Sequence, residues 1–252
     1  MFLRKSFKRD LLLLLGKGLD FWDTTMSYSA QRYFLYFGRW RKSTILPTIS
    51  KLLSVGDIEK VVKNGHVYLK LTSQGNQKVK EDIPLLTLSK KPWDKKWRLV
   101  TFDIPEKEKT IRESLRRKLV SLGFGQWQRS VYISPYDLIQ EINQFLKHQK
   151  LFNYAVCFEA KRLSESDDRL IAKKAWQLDK LASRYEKFID SCQESEDNIK
   201  EKSPEKQNLS FLVEEFLELL RENPFLPKEL LPLYWPYQQA QKSFGKILSL
   251  VS

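Results

Sequence analysis

An α+β fold is predicted by two changes of hydrophobic rhythm and one change of charge along the 252 residues. Helix-spaced apolar residues give way near Asp57 to short alternating runs around an Asn-Gly turn. Helix and strand then alternate from Trp97 to Ala160, and helical spacing alone returns from Leu163. Residues 1–92 carry 17 basic and 7 acidic side chains, residues 93–162 carry 14 and 8, and residues 163–252 carry 13 and 16, for a formal net charge of +13. Three modules are expected, over 1–90, 93–162 and 163–252. The surplus in the first third is arranged to meet a polyanion, either nucleic acid or an anionic membrane surface.

Phe7, Leu11, Leu12, Leu15 and Leu19 fall at helical spacings, so the first element is expected to be an amphipathic helix with one buried stripe. Arg4, Lys5, Lys8 and Arg9 crowd its first turns, where the helix dipole favours anions. Either an outside anion compensates or the basic terminus is frayed and solvated. A second short helix is expected over Tyr28 to Phe37, followed by the basic connection Arg39-Trp40-Arg41-Lys42. Ser43 is placed to cap a third helix, Pro47 is tolerable in its first turn, and Gly56 marks its end. Ile45, Ile49, Leu52 and Leu53 form the inner stripe of that helix, while Thr44, Pro47, Ser50, Lys51 and Ser54 face outward.

Two strands follow, Asp57 to Val62 and Val67 to Thr72, joined by Lys63-Asn64-Gly65-His66, in which Asn-Gly is a hairpin signal. Three helices and a hairpin are the parts of a winged helix-turn-helix, whose third helix enters the major groove of double-stranded DNA. Small residues allow close approach to base edges, and Lys51 can meet a phosphate or guanine. Arg39, Arg41, Lys42, Lys63, Asn64 and His66 flank the groove-facing side and complete the expected contact set with Ser43. Many winged helices bind proteins instead, and the charge favours DNA.

The middle segment reads β-α-β-β-α-β: Trp97 to Ile104, Lys107 to Leu122, Gly123 to Pro135 as extended chain, Tyr136 to Gln149, and Phe152 to Ala160. That order predicts a ferredoxin-like layer with two helices on one face of a sheet. A long helix is then expected over Leu163 to Ile189, and an exposed linker over about 191–208, where the run is charged and free of aromatics. A helix over Leu209 to Arg221, a stop at Asn223-Pro224, an aromatic and proline-rich stretch from Phe225 to Tyr237, and a helix over Gln238 to Leu250 complete the chain. The aromatic stretch either lines a ligand cleft or belongs to the core.

Other classes find little support. A composition of 42% apolar and 30% charged residues with nine Gly and ten Pro excludes collagen, low-complexity and channel proteins. Cys157 and Cys192 form no Cys-x-x-Cys pair, so no disulfide framework or cysteine-based zinc site is expected. The apolar run Leu11 to Leu15 is too short for a signal peptide or membrane span, and the protein is expected to be cytoplasmic without a membrane partner. No catalytic elbow, phosphate-cradling loop or dinucleotide fingerprint occurs. His66 and His148 are isolated. No cofactor is expected. Asp103, at the carboxyl end of a strand, is the exception. Paired across a dimer, two such carboxylates could share a divalent cation and activate water against a phosphodiester. Alternatively, Asp103 caps the following helix or pairs with Arg112 or Arg116.

The segment from Trp93 through Asp94, Lys95, Lys96, Trp97 and Arg98 to Asp103-Ile104-Pro105-Glu106 resembles the signature of the PaaX-type transcriptional repressors of phenylacetate catabolism. So do Gly123-Phe124-Gly125, Ser130 to Pro135, and the closing Pro224-Phe225-Leu226-Pro227, Leu230-Leu231-Pro232 and Trp235-Pro236. The resemblance implies a DNA-binding winged helix, a helical C-terminal region, and a central layer like the small CRISPR-associated endonuclease that partners the integrase. It also implies a homodimer released from its operator by an aryl-acyl-CoA. Lys95, Asn223 and Tyr237 stand where that family usually has Gly, Asp and Gly, so phenylacetyl-CoA is not carried over as the effector. Asp103 with Gln128 to Tyr132 is similar to the catalytic strand and following segment of the endonuclease, which makes a metal-dependent nuclease the alternative to a repressor.

Overall fold

The computed structural model describes residues 6–15, 25–27, 40–63, 65–82, 85–162, 167–200 and 207–250. The chain forms two compact units, one from Leu85–Leu181 with Asn223–Trp235, the other from Arg4–Pro84 with Ala182–Glu222 and Pro236–Ser252.

The second of these begins with helix α1 (Phe7–Leu15). It has no single stripe, because every residue from Asp10 to Leu15 is buried. The reason is that α1 packs against α2 (Lys42–Ser54), strand β3 (His66–Leu71), α3 (Ser73–Asp82) and α9 (Gln207–Glu222), so that only Lys8 in its first turn is exposed. Leu19 and the helix expected over 28–37 lie outside the described residues. Strands β1 (Thr25–Ser27), β3 and β2 (Ile58–Lys63) form an antiparallel sheet in that order, with Ile58 opposite Leu71 and Lys63 opposite His66. Neither β1 nor α3 is evident from periodicity. β1 has only three residues, and α3 is almost wholly polar.

Helix α2 is capped by Arg41 rather than Ser43. Arg41 is extended (φ −69°, ψ 147°), and its carbonyl accepts from Thr44 and Ile45, so Ser43 falls inside the first turn. The end is as expected: Gly56 takes φ +76°, its N–H reaches the Leu53 carbonyl at 3.1 Å, and that of Asp57 reaches Leu52 at 2.9 Å. That pair of bonds is a Schellman stop, which favours glycine. The buried Asp57 carboxylate then accepts from Lys78 (2.6 Å) and Gln74 (3.2 Å), tying the hairpin to α3.

The same unit holds three further helices, the carboxyl part of α8 (Leu178–Lys200), α9 and α10 (Tyr237–Leu250). Phe188, Phe216 and Phe244 meet at their centre with ring centroids 4.5–5.9 Å apart. The linker expected over 191–208 is corrected for 191–200, because α8 continues to Lys200, while 201–206 lie outside the described residues. The charged run is one face of a helix whose other face buries Cys192 and Ser195, with Glu196 paired to Lys246 at 2.7 Å. The long helix expected over 163–189 is also divided. Helix α7 (Asp168–Ala175) stops where Gln177 adopts φ 50°, and α8 starts afresh.

The other unit is built on an antiparallel sheet ordered β5 (Gly125–Gln128), β6 (Val131–Ser134), β4 (Trp97–Phe102) and β7 (Ala155–Ala160). α4 (Leu85–Leu88) precedes it, α5 (Lys109–Ser121) joins β4 to β5, and α6 (Ile139–His148) joins β6 to β7. On one side Trp97 and Ile133 pack with Ala172, Ala175 and Trp176 of the α7 region and with Leu226 and Leu230. The alternate residues Val100, Phe102 and Tyr132 face the other way, and Leu115, Leu119, Ile142 and Leu146 of α5 and α6 are buried.

The signature residues are scaffold in this unit. Trp97 stacks on Trp176 at 6.3 Å, and the Trp176 indole N–H donates to the Gly123 carbonyl at 3.1 Å. A Cβ on Gly125 would lie 2.6 Å from the Trp176 ring, so glycine is required there. Asp94 accepts a forked pair from Arg98 at 2.6 and 2.9 Å, which holds its carboxyl below the usual carboxylate range. Arg98 also meets Glu159, at 3.2 Å. In the C-terminal stretch Asn223 Oδ1 accepts from the Phe225 N–H at 2.9 Å, Phe225 takes φ 46°, and its carbonyl accepts from the buried Tyr136 hydroxyl. Phe225, Leu226 and Leu230 are thus core, whereas Leu233 is 93% exposed.

Lys95 holds φ 61°, the left-handed region, at a position where glycine is usual in the family it resembles. That conformation costs a non-glycine residue about 1–2 kcal/mol, against about 0.4–1 kcal/mol of chain entropy that glycine adds to the unfolded state. Lys95→Gly is therefore expected to stabilise the protein by about 0.5–1 kcal/mol. Urea unfolding checks this, and a lower midpoint in the variant would count against it.

Candidate nucleic-acid interface

Helix α2 places its apolar residues as expected. Ile45, Ile49 and Leu52 are buried and Leu53 is half-buried. Opposite them Ser43, Pro47, Ser50, Lys51 and Ser54 share one exposed face at spacings of three and four residues. Thr44 is half-buried at its margin, where its carbonyl accepts from the Thr48 hydroxyl at 2.6 Å. Leu46 also belongs to this face and is exposed. Sequence reasoning passed over it as a plain apolar residue, yet its spacing from Pro47, Ser50 and Lys51 carries the signal. Arg41 is exposed at the amino end.

The hairpin supplies a second exposed edge. Val62 and Val67 are direct cross-strand partners and both are exposed, an apolar pair next to the turn that sequence reasoning also missed. Lys63 and His66 are the last residues of β2 and the first of β3, and Gly65 in the turn takes φ +75°. Arg39 and Asn64, and the side chains of Lys42, Lys63 and His66, lie outside the described residues. The structure therefore brings together Ser43, Pro47, Ser50 and Lys51, with Thr44 and Arg41 at their margin.

Asp103 is exposed at the end of β4, and its N–H donates to the Tyr154 carbonyl at 2.8 Å. The partners expected for it are engaged elsewhere. Arg112 forks onto Glu106 (3.1 and 3.2 Å), Arg116 meets Glu113 (2.9 Å), and the residue capping α5 is Glu108. The described residues contain no group of three or more His, Cys, Asp or Glu side chains suited to a metal ion. Nothing in this geometry favours a nuclease. His148 ends α6 in its last turn. A hollow of about 390 Å³ lies between α8 and α10, lined by Cys192, Gln193, Glu196, Asp197, Ser243 and Lys246. Burial pushes the Cys192 thiol up to about 12, so it stays protonated at neutral pH. No described helix is long and apolar enough to cross a membrane.

Residues 90–172 match the family described as "PaaX protein central Cas2-like domain", and residues 176–252 match "PaaX-like protein C-terminal domain". The chain belongs to the PaaX-type family. Among curated proteins it is similar to the "Transcriptional repressor PaaX" of Escherichia coli (strain K12), 27% identical over 159 residues. The match covers 60% of this chain and 50% of that relative, so the chain spans about half the length of the curated relative it matches. Among solved structures it resembles "Uncharacterized protein Rv0674 from Mycobacterium tuberculosis", with a TM-score of 0.53 at 16% identity, over 95% of this chain and 92% of the other. That likeness concerns the fold. The PaaX-type central match begins at the loop holding Trp93, Asp94 and Lys95, takes in the whole sheet β4 to β7 and ends within α7.

Proposed function

We propose that this PaaX-type chain is a sequence-specific DNA-binding transcriptional regulator, acting as a repressor. The observation that carries the proposal is the face of α2, with small residues and Lys51 outward and an apolar stripe inward, followed by an antiparallel hairpin. That succession supports a winged helix-turn-helix, and the relative's name supports repression. Thr44, Pro47, Ser50 and Lys51 would read the groove, with Ser43 beside them. Arg39, Arg41, Lys42, Lys63, Asn64 and His66 would hold phosphates.

The strand order β5-β6-β4-β7 supports a ferredoxin-like central layer over 93–162, which would serve dimerisation between a 1–90 reading head and a helical region over 163–252. The regulator would work in the cytoplasm as a homodimer released by a small-molecule effector. An acyl-CoA is a poor match to the hollow beside Cys192, whose lining offers Glu196 and Asp197 to the phosphates and only Lys246 to balance them.

A binding-site selection from random duplexes, repeated at two ionic strengths, tests the proposal. With about six phosphate contacts in a dimer, affinity for the selected duplex is expected to fall roughly 10³-fold between about 50 and 200 mM salt. Failure to retain any duplex at low salt, or an affinity indifferent to salt, would overturn it.

A further inference from the structure

We infer that the central unit carries a second surface for the DNA backbone, formed by Lys109, Arg112 and Arg116 of α5 with Arg129 of the β5–β6 turn. The inference rests on the DNA-binding reading above and extends it to residues that contact no base. Residues 107–129 hold seven basic and two acidic side chains, a density above that of the chain as a whole. Lys109, Arg112 and Arg116 stand at positions i, i+3 and i+7 of one helix, so they form a single row about 10 Å long. Arg129 is brought to the end of the row, where its carbonyl accepts from Arg116 Nη2 at 3.3 Å. The carboxyl of Glu106, held low first by its hydrogen bond from Arg112, also feels Arg129 and Lys109.

The counter-ions already present are weakly held. Glu106 is 80% exposed beside Arg112, and Glu113 is 38% exposed beside Arg116. A carboxylate so open to water is easily exchanged for a phosphate. The guanidinium fork suits phosphate oxygens. A small anion would need a concave site. Here the row runs along a helix flank, with Lys109 and Arg129 exposed and Arg112 and Arg116 keeping 12% and 24% of their side chains in solvent. Such a row fits an extended partner with regularly spaced charge, and duplex DNA carries one charge per about 1.7 Å of axis.

The test uses the full chain, a duplex carrying the selected site alone, and the same duplex extended by about ten base pairs on each side. Wild type is expected to bind the longer duplex more tightly and with a steeper salt dependence. The double variant Lys109→Glu, Arg129→Glu is expected to lose about 10–100-fold in affinity for the longer duplex. Its salt slope should fall by about 2, with the selected sequence and the melting temperature unchanged. Equal affinity and slope for wild type and variant would overturn the inference while leaving the α2 reading intact, provided Lys51→Glu still weakens binding. Retention of inorganic pyrophosphate by wild type and its loss in the variant, with DNA affinity unmoved, would assign the surface to a small anion and also overturn it. If wild type retains no duplex at all, both readings fall together.

Discussion

Arg221→Met is expected to lower stability by about 3–5 kcal/mol, the usual cost of removing one partner from a buried ion pair. Arg221 is 1% exposed and Asp10 is 0% exposed. The guanidinium forks onto that carboxylate at 2.5 and 3.2 Å and reaches Glu214 at 3.3 Å. With the cation gone, two carboxylates face each other in a site where α1, α9 and their neighbours exclude water. For a chain of this size each kcal/mol shifts the melting temperature by about 2–4 °C, so a fall of about 6–20 °C is expected. The double variant Asp10→Leu, Arg221→Met removes the charge and fills the space, and it is expected to recover most of that loss. Thermal and urea unfolding of the wild type and both variants provide the measurement. A single variant within 1 kcal/mol of wild type would show that the pair does not hold α1 to α9.

That pair also marks where sequence reasoning stops. Periodicity is local, and it found α2 with its inner stripe, the hairpin, and the β-α-β-β-α-β order because each is written within a few residues. Asp10 sits among leucines and resembles an interruption in an apolar helix until Arg221, 211 positions later, is placed beside it. Charge misled in the same way over 191–200, where Glu194 and Asp197 face solvent while Cys192 and Ser195 are core. Gln177 breaks the long helix by a backbone angle that no glycine or proline announces. At the candidate interface the outward face of α2 was legible from the residues it excludes from the core. The cationic row on α5 was not, because Arg112 and Arg116 were considered only as partners for Asp103, and the approach of Arg129 depends on the sheet.

Lys51→Glu is expected to weaken binding to the selected duplex by about 2–3 kcal/mol, or roughly 30–150-fold, the size of one lost phosphate or guanine contact compounded by reversed charge. The stability of the folded chain should change by less than about 0.5 kcal/mol, since Lys51 is exposed and its side chain lies opposite Ile45, Ile49 and Leu52. An equal reversal at Lys80, exposed on α3, serves as the control for net charge, and it is expected to act only through the salt-dependent background. The two contact types separate in the same experiment. A phosphate contact would weaken all sequences alike and lower the salt slope by about 1, whereas a guanine contact would relax selection at one position of the site. Affinity equal to that of the Lys80 control would remove the exposed face of α2 from the interface, and with it the geometric basis for sequence-specific repression.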